Sequence, residues 1–190
     1  MSAVLKPPKR LTFSEFLTLT QSAMDWERWE LLGGQAILMA PQSERHQRIV
    51  GSLSDHLRRI ARQHGCVGLP GLGVVSDGNE EYAPIPDFVV RCGPPLDGSY
   101  AKDVVLLAEV LSPSTMSNDR GRKPDFYRTL PNLRTILVVF QDEVRVEALQ
   151  RDDAGEWQWV VRKRREDSLA LPELGGELRL ADVYEDVPLD

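Results

Sequence analysis

The run Val104-Val105-Leu106-Leu107-Ala108-Glu109-Val110-Leu111 constrains the fold more than any other stretch of this chain. Apolar side chains at nearly every position predict a central β-strand that is covered on both faces. Glu109 lies inside this run. Because an ionised carboxylate is costly to bury alone, Glu109 requires either a bound cation or a paired charge.

A second acid opens the apolar run just upstream, Pro86-Asp87-Phe88-Val89-Val90. Two carboxylates on neighbouring core strands favour a site for a divalent metal. Mg²⁺ or Mn²⁺ takes carboxylate and carbonyl oxygens and retains several waters, and Asp87, Glu109 and the Val110 carbonyl could supply such a set. In the alternative interpretation, Asp87 caps the turn after Pro86 and Glu109 pairs with an arginine.

Composition limits the class of protein. A length of 190 residues with 42% hydrophobic residues predicts one soluble domain over residues 11–190, preceded by an N-terminal arm at 1–10. The net charge of -6 argues against a generally basic nucleic-acid coat but permits a local basic groove. Cys66 and Cys92 form no CxxC pair, which predicts neither a disulfide framework nor a zinc site. The absence of a visible signal peptide or a spanning apolar stretch predicts a cytoplasmic protein with no membrane partner.

The remaining patterns predict an α/β architecture, with a mixed sheet and few helices. The predicted elements are a short helix after the capping-box residues 12–15, a hairpin through Gly33-Gly34, an amphipathic helix near Glu44 to His64, a helix from Ser117 to Leu130, and a closing hairpin of Val144 to Leu149 with Trp157 to Arg162. Pro124 interrupts the second long helix. Because proline is favoured at helix starts, that helix should begin at Pro124, with Lys123 just before it.

Several of these residues together resemble a known bacterial family. They are Pro86-Asp87, the string Glu109-Val110-Leu111-Ser112-Pro113-Ser114-Thr115, Asp119, Arg122-Lys123 and Tyr127. The family is the Uma-type restriction endonuclease family of the PD-(D/E)XK nuclease superfamily, and the similarity extends from Phe13 to Tyr184. The resemblance implies a restriction-endonuclease-like mixed β-sheet flanked by α-helices. It also implies Mg²⁺- or Mn²⁺-dependent hydrolysis of DNA and, as in many superfamily members, a homodimer.

The resemblance assigns roles to individual residues. Asp87 and Glu109 become catalytic metal ligands, with Val110 as a third ligand. The motif usually places a lysine two residues after the second acid, but that position is Leu111 here. The matching lysine is Lys123, whose ammonium would orient the attacking water and offset charge on the phosphate. The alternative is a solvated surface lysine in a basic cluster.

Three further residues follow from the same comparison. Glu30 matches the acid of the first strand and would hold a metal-bound water or a second metal, unless it is an exposed strand residue. His46 and Arg122 would contact the phosphate or the substrate, although a lone histidine is more often structural. A rival hypothesis is a nuclease-like fold that binds nucleic acid or protein without cutting. The acidic composition and the turn Gly33-Gly34-Gln35, which replaces the family's Asp-Gly-Glu, favour that rival.

Overall fold

The computed structural model of this chain describes residues 10–24, 26–111 and 121–189. The helices are α1 (Phe13–Thr20), α2 (Glu44–Gln63), α3 (Arg122–Tyr127) and α4 (Leu180–Val183), with a 3-10 turn at Pro172–Leu174. The strands are β1 (Trp29–Leu32), β2 (Gln35–Leu38), β3 (Val67–Pro70), β4 (Gly73–Val74), β5 (Tyr82–Ala83), β6 (Phe88–Arg91), β7 (Tyr100–Ala101), β8 (Val104–Leu111), β9 (Thr135–Phe140), β10 (Val146–Arg151), β11 (Trp157–Arg162), β12 (Ser168–Leu171) and β13 (Gly176–Arg179).

A six-stranded sheet in the order β11-β10-β9-β8-β6-β3 forms the centre of the fold. Strands β8 and β9 are parallel, while β6 lies antiparallel to β8. The sheet is therefore mixed, and helices lie against it, which confirms the predicted α/β class. Strand β8 occupies an inner position between β6 and β9, as its apolar sequence predicts.

The two faces of β8 enter different cores because successive strand residues point to opposite sides. Leu106, Ala108 and Val110 belong to the core that includes the apolar stripe of α2. Leu107 and Leu111 belong to the core that includes the aromatic residues of α3. Glu109 lies between these two in the alternation, so its side chain points to the α3 face.

A smaller sheet in the order β2-β1-β5 carries Glu30. The predicted hairpin through Gly33-Gly34 joins β1 to β2. Both glycines have positive φ, +61° and +75°, which a tight two-residue turn of this kind requires. The sheet connects to the segment before β6, since the Ile85 amide donates to Glu30 Oε1 at 2.7 Å.

Helix α2 follows the predicted amphipathic pattern. The Ser43 side chain accepts from the His46 amide and caps the first turn. Ile49, Leu53 and Leu57 are fully buried against the central sheet. The cap fixes the entry of the chain into the helix and places His46 in its first turn, where the side chain is buried.

The predicted start of α3 is wrong. The helix begins at Arg122 and ends at Tyr127, so Lys123 lies inside its first turn. Proline is tolerated at the third position because the first four helical N–H groups have no partner within the helix. The predicted helix from Ser117 to Leu130 also ends too late, because α3 ends at Tyr127. Its first residues fall in 112–120, outside the described residues.

The cysteine prediction is wrong as well, because Cys66 and Cys92 form a disulfide. Strands β3 and β6 are antiparallel with Val67 opposite Arg91. Continued by one residue, this register sets the two cysteines opposite each other. Disulfides persist mainly in oxidising compartments, so this bond counts against the expected cytoplasmic location, which stays a prediction.

Reduction of this disulfide is expected to lower the free energy of unfolding by about 3 kcal/mol, because the bond closes a loop across a separation of 26 residues. Urea melts with and without dithiothreitol measure the change. The double variant Cys66→Ala/Cys92→Ala is the control and should be insensitive to the reductant. Equal midpoints for oxidised and reduced wild type would contradict the prediction.

No helix within residues 10–24, 26–111 and 121–189 is long and apolar enough to cross a bilayer. The division into an arm at 1–10 and one domain at 11–190 stays a prediction, since residues 1–9 and 190 lie outside the described part of the chain.

Candidate active site

Asp87 and Glu109 meet across neighbouring strands. The β6–β8 register pairs Phe88 with Ala108, and one step further it sets Asp87 opposite Glu109. Directly opposite residues of an antiparallel pair share a face of the sheet. The Glu109 residue is only 4% exposed, and the Asp87 side chain 8%. Both acids predicted from the sequence are therefore buried together, at the end where β6 begins.

The backbone of Val110 faces Asp87. Its amide donates to Asp87 Oδ2 at 2.7 Å, and the carbonyl of a strand residue points to the same side as its amide. The register continued by one more residue sets Pro86 opposite Val110. Because proline has no N–H, residue 86 cannot donate to the Val110 carbonyl oxygen the hydrogen bond that a normal strand partner would.

Gln42, just before α2, and His46, in its first turn, also contact Asp87. Gln42 Nε2 donates to Oδ1 at 2.8 Å, and His46 Nε2 lies 3.2 Å from Oδ2. A carboxylate offers roughly four lone-pair sites, so Oδ1, which has one donor among the described residues, keeps a site for a further partner there. Within the described part of the chain, His46 Nδ1 is buried without a hydrogen-bond partner. The structure therefore brings His46 to the site, and its contact with substrate stays a prediction.

A buried lysine joins the two glutamates. Lys123 Nζ lies 2.9 Å from Glu30 Oε1 and 3.3 Å from Glu109 Oε1. All three residues are buried, so Lys123 is not the solvated lysine of the alternative interpretation and Glu30 is not an exposed strand residue. The cation beside Glu109 is a lysine, whereas the alternative without a metal expected an arginine. We name Glu30, Glu109 and Lys123 the acid–lysine cluster.

Tyr127 also contacts this cluster. Its hydroxyl donates to Glu109 Oε1 at 2.5 Å. Tyr127 belongs to the motif but was not among the predicted site residues, although it lies four residues after Lys123 and so shares a helix face with it. Gln42 was also missed, and no sequence signal could have identified it, because its contact with Asp87 depends on how α2 meets β6.

The charge of Glu30 also affects the hydroxyl of Tyr100. Burial, and secondarily the negative charge of Glu30, raise the pKa of the Tyr100 hydroxyl above its usual value. Tyr100 is therefore neutral at physiological pH and adds no charge beside the acid–lysine cluster.

Arg122 is exposed at the start of α3, and its Nη1 lies 3.4 Å from Gln35 Oε1. It neighbours Lys123 in the chain but points to solvent, where a phosphate could reach it. The motif residues Ser112 to Thr115 and Asp119 lie outside the described residues. Among the residues described, no group of three or more His, Cys, Asp or Glu side chains could hold a metal ion. The set of two carboxylates and one carbonyl remains a prediction.

Comparison with solved structures identifies the class of fold. The chain superposes on a crystal structure from Anabaena variabilis described as "a putative nuclease belonging to DUF820", with a TM-score of 0.71 and 15% identity. The match covers 92% of this chain and 97% of that chain. The mixed sheet with its helices is therefore the fold of that structure.

The sequence comparisons identify the family. The profile of Uma2, described as "Putative restriction endonuclease", matches residues 13–182, and the chain belongs to this family. Two proteins of Synechocystis sp. are also similar. "Uncharacterized protein sll1609" is 31% identical over 163 residues, which cover 83% of this chain and 89% of the relative. "Uncharacterized protein slr1290" is 29% identical over 162 residues, which cover 83% and 84%.

Proposed function

We propose that this chain is a metal-dependent endonuclease that hydrolyses phosphodiester bonds in DNA. The observation that carries the proposal is the convergence of buried Asp87 and Glu109 with the Lys123 ammonium, 3.3 Å from Glu109. Family membership supports the reaction class. DNA is the proposed substrate, and a homodimer is the proposed assembly.

The oxygen atoms at the site suit a hard divalent cation. Mg²⁺ binds through one or two carboxylates and keeps several waters. Asp87, Glu109 and the Val110 carbonyl would hold Mg²⁺ or Mn²⁺, since Asp87 Oδ1 has a lone pair to give and Pro86 cannot bond the carbonyl. When bound, the cation would neutralise charge that develops on the phosphate in the transition state.

Lys123 supplies the organic cation of the proposed mechanism. Glu30 and Glu109 hold its ammonium by two short contacts, 2.9 and 3.3 Å. A cation fixed in this way needs no reorganisation when the phosphate gains charge. Its remaining role is to orient the attacking water, while Glu30 acts mainly by holding the lysine in place.

His46 and Arg122 would contribute contacts to the carboxylate and to the DNA backbone. His46 Nε2 lies 3.2 Å from Asp87 Oδ2 and would hold the orientation of that carboxylate. Its second nitrogen, Nδ1, would accept a proton or a hydrogen bond from the substrate side. Arg122 is exposed and would bind a neighbouring phosphate of the DNA backbone.

The proposal predicts metal-dependent cleavage by the wild-type protein. Supercoiled plasmid incubated with Mg²⁺ or Mn²⁺ should be converted to nicked and linear forms, and the conversion should stop in EDTA because the acids alone cannot neutralise the phosphate. Gel electrophoresis measures it. Cleavage that persists in EDTA would contradict the metal requirement.

One observation favours the second candidate, a nuclease-like fold that binds nucleic acid or protein without cutting. Glu109 Oε1 already contacts both Lys123 and Tyr127, and a metal would compete for this oxygen. The same plasmid assay separates the candidates. Binding of DNA without any nicking in Mg²⁺ or Mn²⁺ would establish the second function and exclude the first.

A further inference from the structure

A cavity of about 360 Å³ opens beside the Asp87 end of the candidate active site. Its walls combine an indole, apolar side chains and amides, contributed by Trp26, Leu38, Pro41, Gln42 and Gln47. We name it the Trp26 cavity. Gln42 also donates to Asp87 Oδ1 at 2.8 Å. One side chain therefore belongs both to the cavity wall and to the candidate site, so the two are adjacent.

The apolar part of this wall faces solvent. Trp26 is 71% exposed and Leu38 46%. Single exposed apolar residues are common, but apolar residues that line a cavity together mark ligand sites. Trp159 is nearly as exposed, at 60%, but it lies on the edge strand β11 and is not part of this wall. Trp26 thus differs from Trp159 by its position in a cavity beside the site.

The charges of the wall indicate a neutral ligand. Glu27 and Arg28 line the cavity together, so their formal charges cancel. Each also has a partner outside the ligand space, since Glu27 accepts from the Trp29 indole and Arg28 donates to the Gly71 carbonyl. A phosphate or another charged group would find no net electrostatic attraction here. A flat neutral ring needs none, because it can stack on the indole.

We propose that the Trp26 cavity binds an unpaired nucleobase of the DNA strand whose phosphodiester lies at Asp87 and Glu109. This inference rests on the proposed function, because that function places the phosphate and a base is attached to the sugar next to it. The indole would stack on the base. The side-chain nitrogens of Gln42 and Gln47 already donate to Asp87 and to the Gln42 carbonyl, so their amide oxygens would accept hydrogen bonds from the edge of the base. Inside a duplex both faces of a base are covered, so only an unpaired or extruded base can reach Trp26.

The experiment compares single-stranded with duplex DNA. Fluorescence anisotropy in EDTA measures binding of a labelled single-stranded oligonucleotide and of the duplex of the same sequence, so that cleavage cannot interfere. Trp26→Ala should weaken single-strand binding by about 5- to 150-fold, the range expected for loss of one aromatic stack, and should leave duplex binding nearly unchanged. Trp26→Phe should retain most of the affinity because it keeps a ring.

Trp159→Ala is the matched control, since it removes a tryptophan of similar exposure from the sheet edge. Its single-strand affinity should equal that of wild type. Three results would overturn the inference: equal losses in the two alanine variants, no loss in Trp26→Ala, or equal losses on single strand and duplex. It would also be overturned if Trp26→Ala changed only the oligomeric state in sedimentation, because a second copy would then be the occupant.

Failure of this inference and failure of the proposed function give different results. If wild type never nicks plasmid but its single-strand binding depends on Trp26, the nuclease function is excluded and base binding in the Trp26 cavity is supported. If wild type nicks plasmid but Trp26→Ala binds single strands as tightly as wild type, the nuclease function is supported and base binding in the Trp26 cavity is excluded.

Discussion

Lys123→Met is expected to lower the free energy of unfolding by about 3–5 kcal/mol at neutral pH, the range for breaking a buried ion pair. The variant keeps an unbranched apolar side chain but leaves Glu30 and Glu109 buried without the ammonium that lies 2.9 and 3.3 Å from them. Two like charges then remain close together in the protein interior. Urea denaturation of the metal-free protein, followed by circular dichroism, measures the loss.

Two comparisons isolate the cause of this loss. Lys102→Met removes an exposed lysine that pairs with exposed Asp77, and exposed pairs contribute little, so it should change stability far less. Glu109→Gln leaves Lys123 and Glu30 as a one-to-one pair and should also cost much less than Lys123→Met. A loss in Lys123→Met no greater than in Lys102→Met would show that the ammonium does not stabilise the buried acids.

Asp87→Asn is expected to slow single-turnover cleavage of plasmid DNA by about a hundredfold to a thousandfold. A neutral amide cannot replace the carboxylate charge in the proposed metal site, metal catalysis supplies several kcal/mol, and each 1.36 kcal/mol corresponds to about tenfold in rate. Titration calorimetry with Mn²⁺ should show the parallel loss of binding. Both measurements test the same carboxylate: the cleavage rate tests its role in the reaction, and calorimetry tests metal binding in the absence of DNA.

The control for Asp87→Asn is Asp77→Asn, which makes the same chemical change at an exposed turn residue. It should cut DNA and bind Mn²⁺ as wild type does. If Asp87→Asn cleaves at the wild-type rate, Asp87 is not part of the reaction. If it binds Mn²⁺ with unchanged affinity, Asp87 is not a ligand, whatever its effect on cleavage.

Much of the local structure could be predicted because it depends on neighbouring residues. Thr12 and Glu15 form the reciprocal cap expected from their spacing, and the apolar stripe of α2 is buried. The run of β8, apolar at every position except Glu109, identified an inner strand. Since a run of this kind leaves no polar face, it also identified Glu109 as a buried acid.

Alternation, helical spacing and caps are local properties, so most helices and strands could be predicted from the sequence, as could one acid inside a core strand and another at the start of its neighbour. The surroundings of those acids, in contrast, depend on how distant parts of the chain pack together. The sheet order and register set Asp87 opposite Glu109, Pro86 opposite Val110 and Cys66 opposite Cys92. The packing of α3 and β1 brought Lys123 and Glu30 to Glu109. Such contacts join residues distant in the chain, and the local pattern of a strand does not specify which strand will pair with it or in which register.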